Sequence, residues 1–187
     1  VGACNTATSA AVSELRKVYP DMPLVGIEPA IKPAVELNRS GKILIMATPM
    51  TIKQQKFNLL LNKYKDKADI VPIQCAGLME FIEEGILSGS QLEEYLKDKL
   101  CIYKKEEIAS IVLGCTHYPF VKETIEKVVG SGIAIIDGGE GTAREIKRRL
   151  KEKDLLTDRA ETGSITIYNS LDDEKVIDLS LKLIQQP

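Results

Sequence analysis

Short runs of aliphatic residues, only three to five long, recur along this chain and alternate with longer stretches in which apolar residues return every three or four positions. Runs of that length are too short for buried helices. They are also too continuously apolar for strands with one wet face, so they predict parallel strands covered on both sides by crossover helices. The expected strands are Leu24–Ile27, Ile43–Ala47, Ile70–Ile73, Ser110–Leu113, Ala134–Ile136 and Ser164–Tyr168. The expected helices are Thr8–Val18, Ile52–Tyr64, Gly77–Ile86, Gln91–Leu100, Val121–Val129, Thr142–Lys153 and Asp173–Ile184. Ser90 and Glu93 have capping-box spacing, with Gly85 and Gly89 punctuating the helices around them. The class that follows is α/β.

Two stretches share one order of parts. Gly2-Ala3-Cys4-Asn5-Thr6 leads into a helix, then the strand Leu24–Ile27, and ends at Glu28. Leu113-Gly114-Cys115-Thr116-His117 leads into a helix, then Ala134–Ile136, and ends at Asp137. This is a faint internal repeat, with a cysteine at the carboxyl end of a strand in each copy. Pro29 and Pro33 with the polar turn at 38–42 form one break, and Gly138, Gly139 and Gly141 form another. The breaks predict an inner α/β domain at 29–137, with 1–28 and 138–187 joining as parts of an outer domain. Two chain crossings at one place predict a hinge.

Both cysteines fall where open α/β sheets gather ligands, outside the carboxyl ends of strands and beside helix amino termini. The positive end of a helix dipole favours a thiolate, and Asn5, Thr6 and Thr116 add hydrogen-bonding groups at the same points. Against this stands the plainer reading of two buried filler cysteines with capping neighbours. His117 is the only histidine. Two positions after Cys115, it is not expected to point the same way on a helix, so a protease-like Cys–His pair is disfavoured. It can instead sit beside a substrate carboxylate or steady a thiolate when protonated.

The remaining signals are weaker. Asp137-Gly-Gly-Glu-Gly-Thr142 reads as a Gly-rich turn with Thr142 near a helix cap, and a backbone nest for an anion is the alternative. Lys147-Arg148-Arg149 reads as a solvated helix face, Cys75 and Cys101 as packing residues, and Glu83 and Glu84 as surface charges. The four cysteines show no C-x-x-C, which disfavours a zinc site or disulfide framework and points to a reduced, cytoplasmic setting. A net charge of −2 with interspersed signs gives no nucleic-acid footprint, and no run approaches the ~20 apolar residues of a membrane span.

A-C-N-T-A-T around Cys4 and L-G-C-T-H-Y-P around Cys115 resemble the two signatures of cofactor-independent glutamate racemases, and the likeness runs through essentially the whole chain. The resemblance implies two similar, mostly parallel-sheet domains facing each other, in the Asp/Glu racemase manner. It also implies a two-base reaction in which Cys4 and Cys115 flank the substrate α-carbon, one as thiolate base and the other as thiol acid. No metal or other cofactor enters. Asn5, Thr6, Thr116 and His117 are similar to the family's substrate contacts, and His117 and Glu83 to its accessory acid–base residues. A-T-P-M-T around Thr48 and Thr51 is a looser match.

The family opens with a segment bearing Asp-Ser-Gly ahead of the first cysteine, and this sequence begins at Val1, directly inside a motif. The expectation is therefore a chain whose first domain lacks its amino-terminal βα units and is itself at best a feeble catalyst, its outer part loose, swapped with a second copy or protected by dimerisation, with a homodimer as the expected assembly. The implied role is supply of D-glutamate for peptidoglycan, the cell wall and cell shape. An aspartate or hydantoin racemase is the nearest alternative; the histidine after Cys115-Thr116 favours glutamate. A dicarboxylate-binding chain without turnover is the alternative from another class.

Overall fold

A computed structural model of the chain describes residues 1–171 and 173–185. Its centre is a parallel sheet of four strands, β1 (Lys42–Ala47), β2 (Asp69–Gln74), β3 (Ile108–Leu113) and β4 (Ala134–Asp137), in the order β2-β1-β3-β4. Parallel neighbours cannot be joined by a tight turn, so helices cross between them. These are α3 (Pro49–Lys53) and α4 (Gln55–Tyr64) after β1, α5 (Leu78–Glu83) and α6 (Ser90–Leu100) after β2, and α7 (Lys122–Val129) after β3.

Alternation along the strands divides the core into two layers. Leu44, Met46, Ile111 and Leu113 meet Leu78, Ile82, Leu92, Leu96 and Ile125 on one face. Ile43, Ile45 and Val112 meet Phe57 and Tyr64 on the other, together with Ile31 and Ala34 of α2 (Ile31–Glu36). Every residue of β3 is buried, as a strand covered on both faces requires. Besides α2, the helices outside the crossovers are α1 (Asn5–Val18), α8 (Gly139–Glu152) and α9 (Glu174–Ile184).

Several expectations are revised. Leu24–Ile27 does not form a strand; one parallel bridge, Gly2 to Gly26, is the only pairing there among the described residues. Ser164–Tyr168 is irregular, with Ile165 71% and Tyr168 92% exposed, because no neighbouring strand offers a partner for its backbone. The proline-marked break contains α2, since Pro33 falls in the first turn, where its missing N–H costs nothing. Ser90 is the first residue of α6 rather than its cap, and Gly89 takes the cap position. Glu93, freed from a capping box, pairs with Lys127 on α7 at 2.5 Å.

The Gly-rich turn is tighter than expected: α8 starts at Gly139, whose N–H donates to Asp137 Oδ1 at 2.7 Å. Thr142 lies inside the helix and donates to the Gly138 carbonyl at 2.7 Å. Gly138 itself passes the first crossing so closely that a Cβ would lie 2.7 Å from the Glu28 carbonyl oxygen. No helix among the described residues is long and apolar enough to cross a membrane.

Candidate functional site

β3 ends at Leu113, and Gly114 N–H continues the ladder by donating to the Met46 carbonyl at 2.7 Å. A side chain at 114 would stand 2.8 Å from that same oxygen, so only glycine lets the chain turn here against β1. Cys115 follows at once, at the carboxyl edge of the sheet. On the other side, Cys4 is the cap residue of α1, a helix of 14 residues, and is exposed.

One buried bond joins these two places. Asn5 Nδ2 donates to the Gly114 carbonyl at 2.9 Å, so the residue after Cys4 is tied to the residue before Cys115. The sequence offers no hint of this tie; Asn5 was expected to face substrate. Its side chain is 5% exposed, and its Oδ1 is buried with no partner.

The Cys115 corner holds a chain of close polar contacts. Cys115 Sγ lies 3.7 Å from His117 Nδ1, and His117 Nε2 lies 3.3 Å from Glu83 Oε1. The expectation that His117 points away from Cys115 is overturned. It assumed a helix, whereas residues 115–117 form a turn ahead of a short 3₁₀ helix, Tyr118–Val121. Glu83 is still an exposed carboxylate, but it is the last residue of α5 and arrives at the imidazole.

The same turn revises the charge argument. Burial pushes the Cys115 thiol above its ordinary value. The backbone N–H groups of His117 and Thr116 pull it down, while the nearby charges of Cys4 and Glu83 push it up further. The helix that follows Cys115, α7, begins only at Lys122, so its own amino terminus does not sit at this cysteine.

The Cys4 corner is made of hydroxyls. Thr6 Oγ1 is 3.1 Å from Thr51 Oγ1, which is 3.0 Å from Thr48 Oγ1. Thr48 caps α3 by accepting from Thr51 N–H at 3.2 Å, with Pro49 in the first turn behind it. Thr48 and Thr51 matter more here than their loose sequence match suggested. The signal that could have located them is Thr-Pro, a cap followed by a first-turn proline. A cavity of about 230 Å³ opens beside Asn5 and Thr51, between α1 and α4, but neither cysteine lines it.

The other two cysteines part company. Cys75 is buried, and burial pushes its thiol up to about 12. Cys101 is exposed at the end of α6, contrary to its expected packing role, because the helix ends there and the residue turns outward. Arg148 and Arg149 pair with Glu145 on an exposed face of α8, as a solvated helix face should.

Comparison with known proteins bears on all of this. A family model described as Asp/Glu/Hydantoin racemase matches residues 1–146. A glutamate racemase of Clostridium botulinum (strain Alaska E43 / Type E3) is 58% identical over 99% of this chain and 72% of its own length. One of Clostridium perfringens (strain ATCC 13124) is 50% identical over 98% of the chain and 70% of its own. Among solved structures, the glutamate racemase of Francisella tularensis in complex with D-glutamate aligns with a TM-score of 0.80 at 25% identity. That match covers 98% of this chain and 68% of the other. The Escherichia coli glutamate racemase, in complex with L-glutamate and the activator UDP-MurNAc-Ala, aligns at 0.76 and 25% identity, covering 96% and 68%.

Proposed function

This chain belongs to the Asp/Glu/Hydantoin racemase family, and from that membership we propose that it interconverts L- and D-glutamate through Cys4 and Cys115. The observation that supports the reading most is the Asn5–Gly114 bond, which ties the residue after Cys4 to the residue before Cys115. High identity to relatives named glutamate racemase supports glutamate as the substrate. Aspartate or hydantoin substrates are the second reading, because the family's description includes them.

In the proposed reaction one cysteine, as thiolate, takes the α-proton and becomes a thiol. The other, as thiol, delivers its proton to the opposite face and becomes a thiolate. Proton and charge balance, and the enzyme is left poised for the reverse direction. The α-proton is far less acidic than a thiol, so the intermediate carbanion needs electrostatic help from the pocket. Thr116 and His117 are suited to hold the substrate carboxylates near Cys115, and Thr6 does the same near Cys4. Asn5 keeps one amide hydrogen on Gly114 and is proposed as a substrate contact from the family resemblance, its buried Oδ1 needing the start of α1 to shift before it can accept from an ammonium group. Glu83 and His117 form an acid–base relay behind Cys115.

We assign 29–137 to an inner domain and 1–28 with 138–187 to an outer one, hinged where Gly138 passes Glu28. The proposal extends to a cytoplasmic homodimer that supplies D-glutamate for peptidoglycan. Solvent deuterium provides the test. A racemase washes deuterium into the α-position of either enantiomer and produces the other, whereas a dicarboxylate binder without turnover leaves the α-proton in place. Wash-in with aspartate and none with glutamate would move the assignment within the family.

A further inference from the structure

Tyr118, the residue after His117, is fully buried, with 0% of its surface exposed. A phenylalanine would fill the same space without the cost of burying a hydroxyl. That hydroxyl donates to the Cys75 carbonyl at 3.2 Å. Cys75 lies just past β2, and the loop through Ala76 and Gly77 launches α5, whose last residue is Glu83. Gly77 takes the left-handed conformation, φ +91°, so the loop turns sharply and outside contacts must fix its angle.

Tyr118 supplies one such contact. Tyr95 of α6 supplies another, its hydroxyl donating to the Ala76 carbonyl at 2.9 Å while its ring packs against Phe81 of α5 with centroids 5.7 Å apart. The backbone carrying His117 is thereby bonded to the loop that decides where Glu83 arrives.

We propose that Tyr118 is a positioning residue for the Glu83–His117 pair, its hydroxyl fixing the β2–α5 loop so that the carboxylate meets the imidazole. The consequence for catalysis rests on the reading of Cys115 as an acid–base group. The positioning itself does not. Tyr118→Phe should leave the fold intact, because the Cys75 carbonyl keeps a second donor, the Leu78 N–H at 3.4 Å.

His117 is the only histidine, so its imidazole NMR signals need no disentangling. In Tyr118→Phe those signals should shift in the direction seen in Glu83→Gln. In the double variant they should move no further than in Glu83→Gln alone. The kcat for racemisation should fall about five- to tenfold, the scale of one hydrogen bond's net worth, while KM stays within about twofold. Unchanged imidazole signals in Tyr118→Phe, or additive shifts in the double variant, overturn the proposal. Should Tyr118→Phe not fold, Tyr95→Phe takes its place with a smaller shift of the same sign, and no shift there overturns it equally. A wild-type protein that washes no deuterium into glutamate defeats the racemase reading instead, and the imidazole shifts still judge Tyr118.

Discussion

Cys4 and Cys115 stand in the same local order, after a parallel pairing and before a helical turn, yet their surroundings differ in kind. Cys4 is exposed at the amino end of a long helix, with a row of threonine hydroxyls nearby. Cys115 is half-buried, held above its ordinary thiol value, and backed by a histidine and a glutamate. Related sequence positions have been given unlike tools. On the proposed two-base reading, the enzyme meets two mirror-image substrates, but its two proton carriers need not be mirror images; it needs only that each can both take and give.

The strongest way to break the comparison is to remove each sulfur. Cys4→Ser and Cys115→Ser should each lower racemisation about a thousandfold, within the range of a lost acid–base group, with the fold kept. Cys75→Ser and Cys101→Ser should retain most activity. Deuterium wash-in and D-glutamate formation report both, and equal losses at all four positions would show the pair to be wrongly chosen.

How far the sequence revealed this contrast depended on distance along the chain. Each cysteine motif was legible because its parts are local: a strand end, a thiol, a polar pair. The strands β1 to β4 were legible because each carries a short apolar run, buried in β1 and β3 and half-buried in β4. The Asn5–Gly114 tie spans more than a hundred residues and leaves no local trace. His117 was misjudged because helical geometry was assumed for a turn. Leu24–Ile27 and Ser164–Tyr168 have strand composition, but composition cannot supply the neighbour that a strand must pair with.

A sharper test takes the two corners separately. Glu83→Gln and His117→Asn should lower kcat about ten- to a hundredfold, somewhat less than loss of a direct proton carrier. The isotope effect from α-deuterated substrate should rise in the direction where Cys115 is the base and change little in the other. Symmetrical changes would mean that the relay serves the whole pocket and not one corner.

Severing the tie between the corners should cost stability as well as rate. Asn5→Ala leaves the Gly114 carbonyl without its side-chain donor and should destabilise the fold by about 1–3 kcal/mol in denaturant titrations. A wild-type midpoint in that variant would show that water replaces the bond without penalty.

The smallest effect is read by alkylation. Reaction needs the thiolate, and burial with the Glu83 charge holds Cys115 protonated, so its labelling should gain speed only above the pH near ~8.5 where a free thiol titrates. Removing that charge in Glu83→Gln should bring the rise to lower pH. Cys75, pushed up to about 12 and buried, should stay unlabelled while the protein is folded. Peptide mass spectrometry separates the sites, and a Cys115 that labels fully at neutral pH would erase the electrical difference between the corners.

The meeting of Gly138 with the Glu28 carbonyl has a mechanical consequence. With no side chain at 138, the two crossings meet backbone to backbone, as thin a joint as a protein can build. If the chain hinges there as proposed, a thin pivot would turn a small rotation into a wide swing at its far end, with Cys4 and Cys115 on opposite sides of it. A bulkier residue at 138 would act as a wedge in that joint. It would alter the resting width of the gap between the sulfurs while leaving every atom near them chemically untouched.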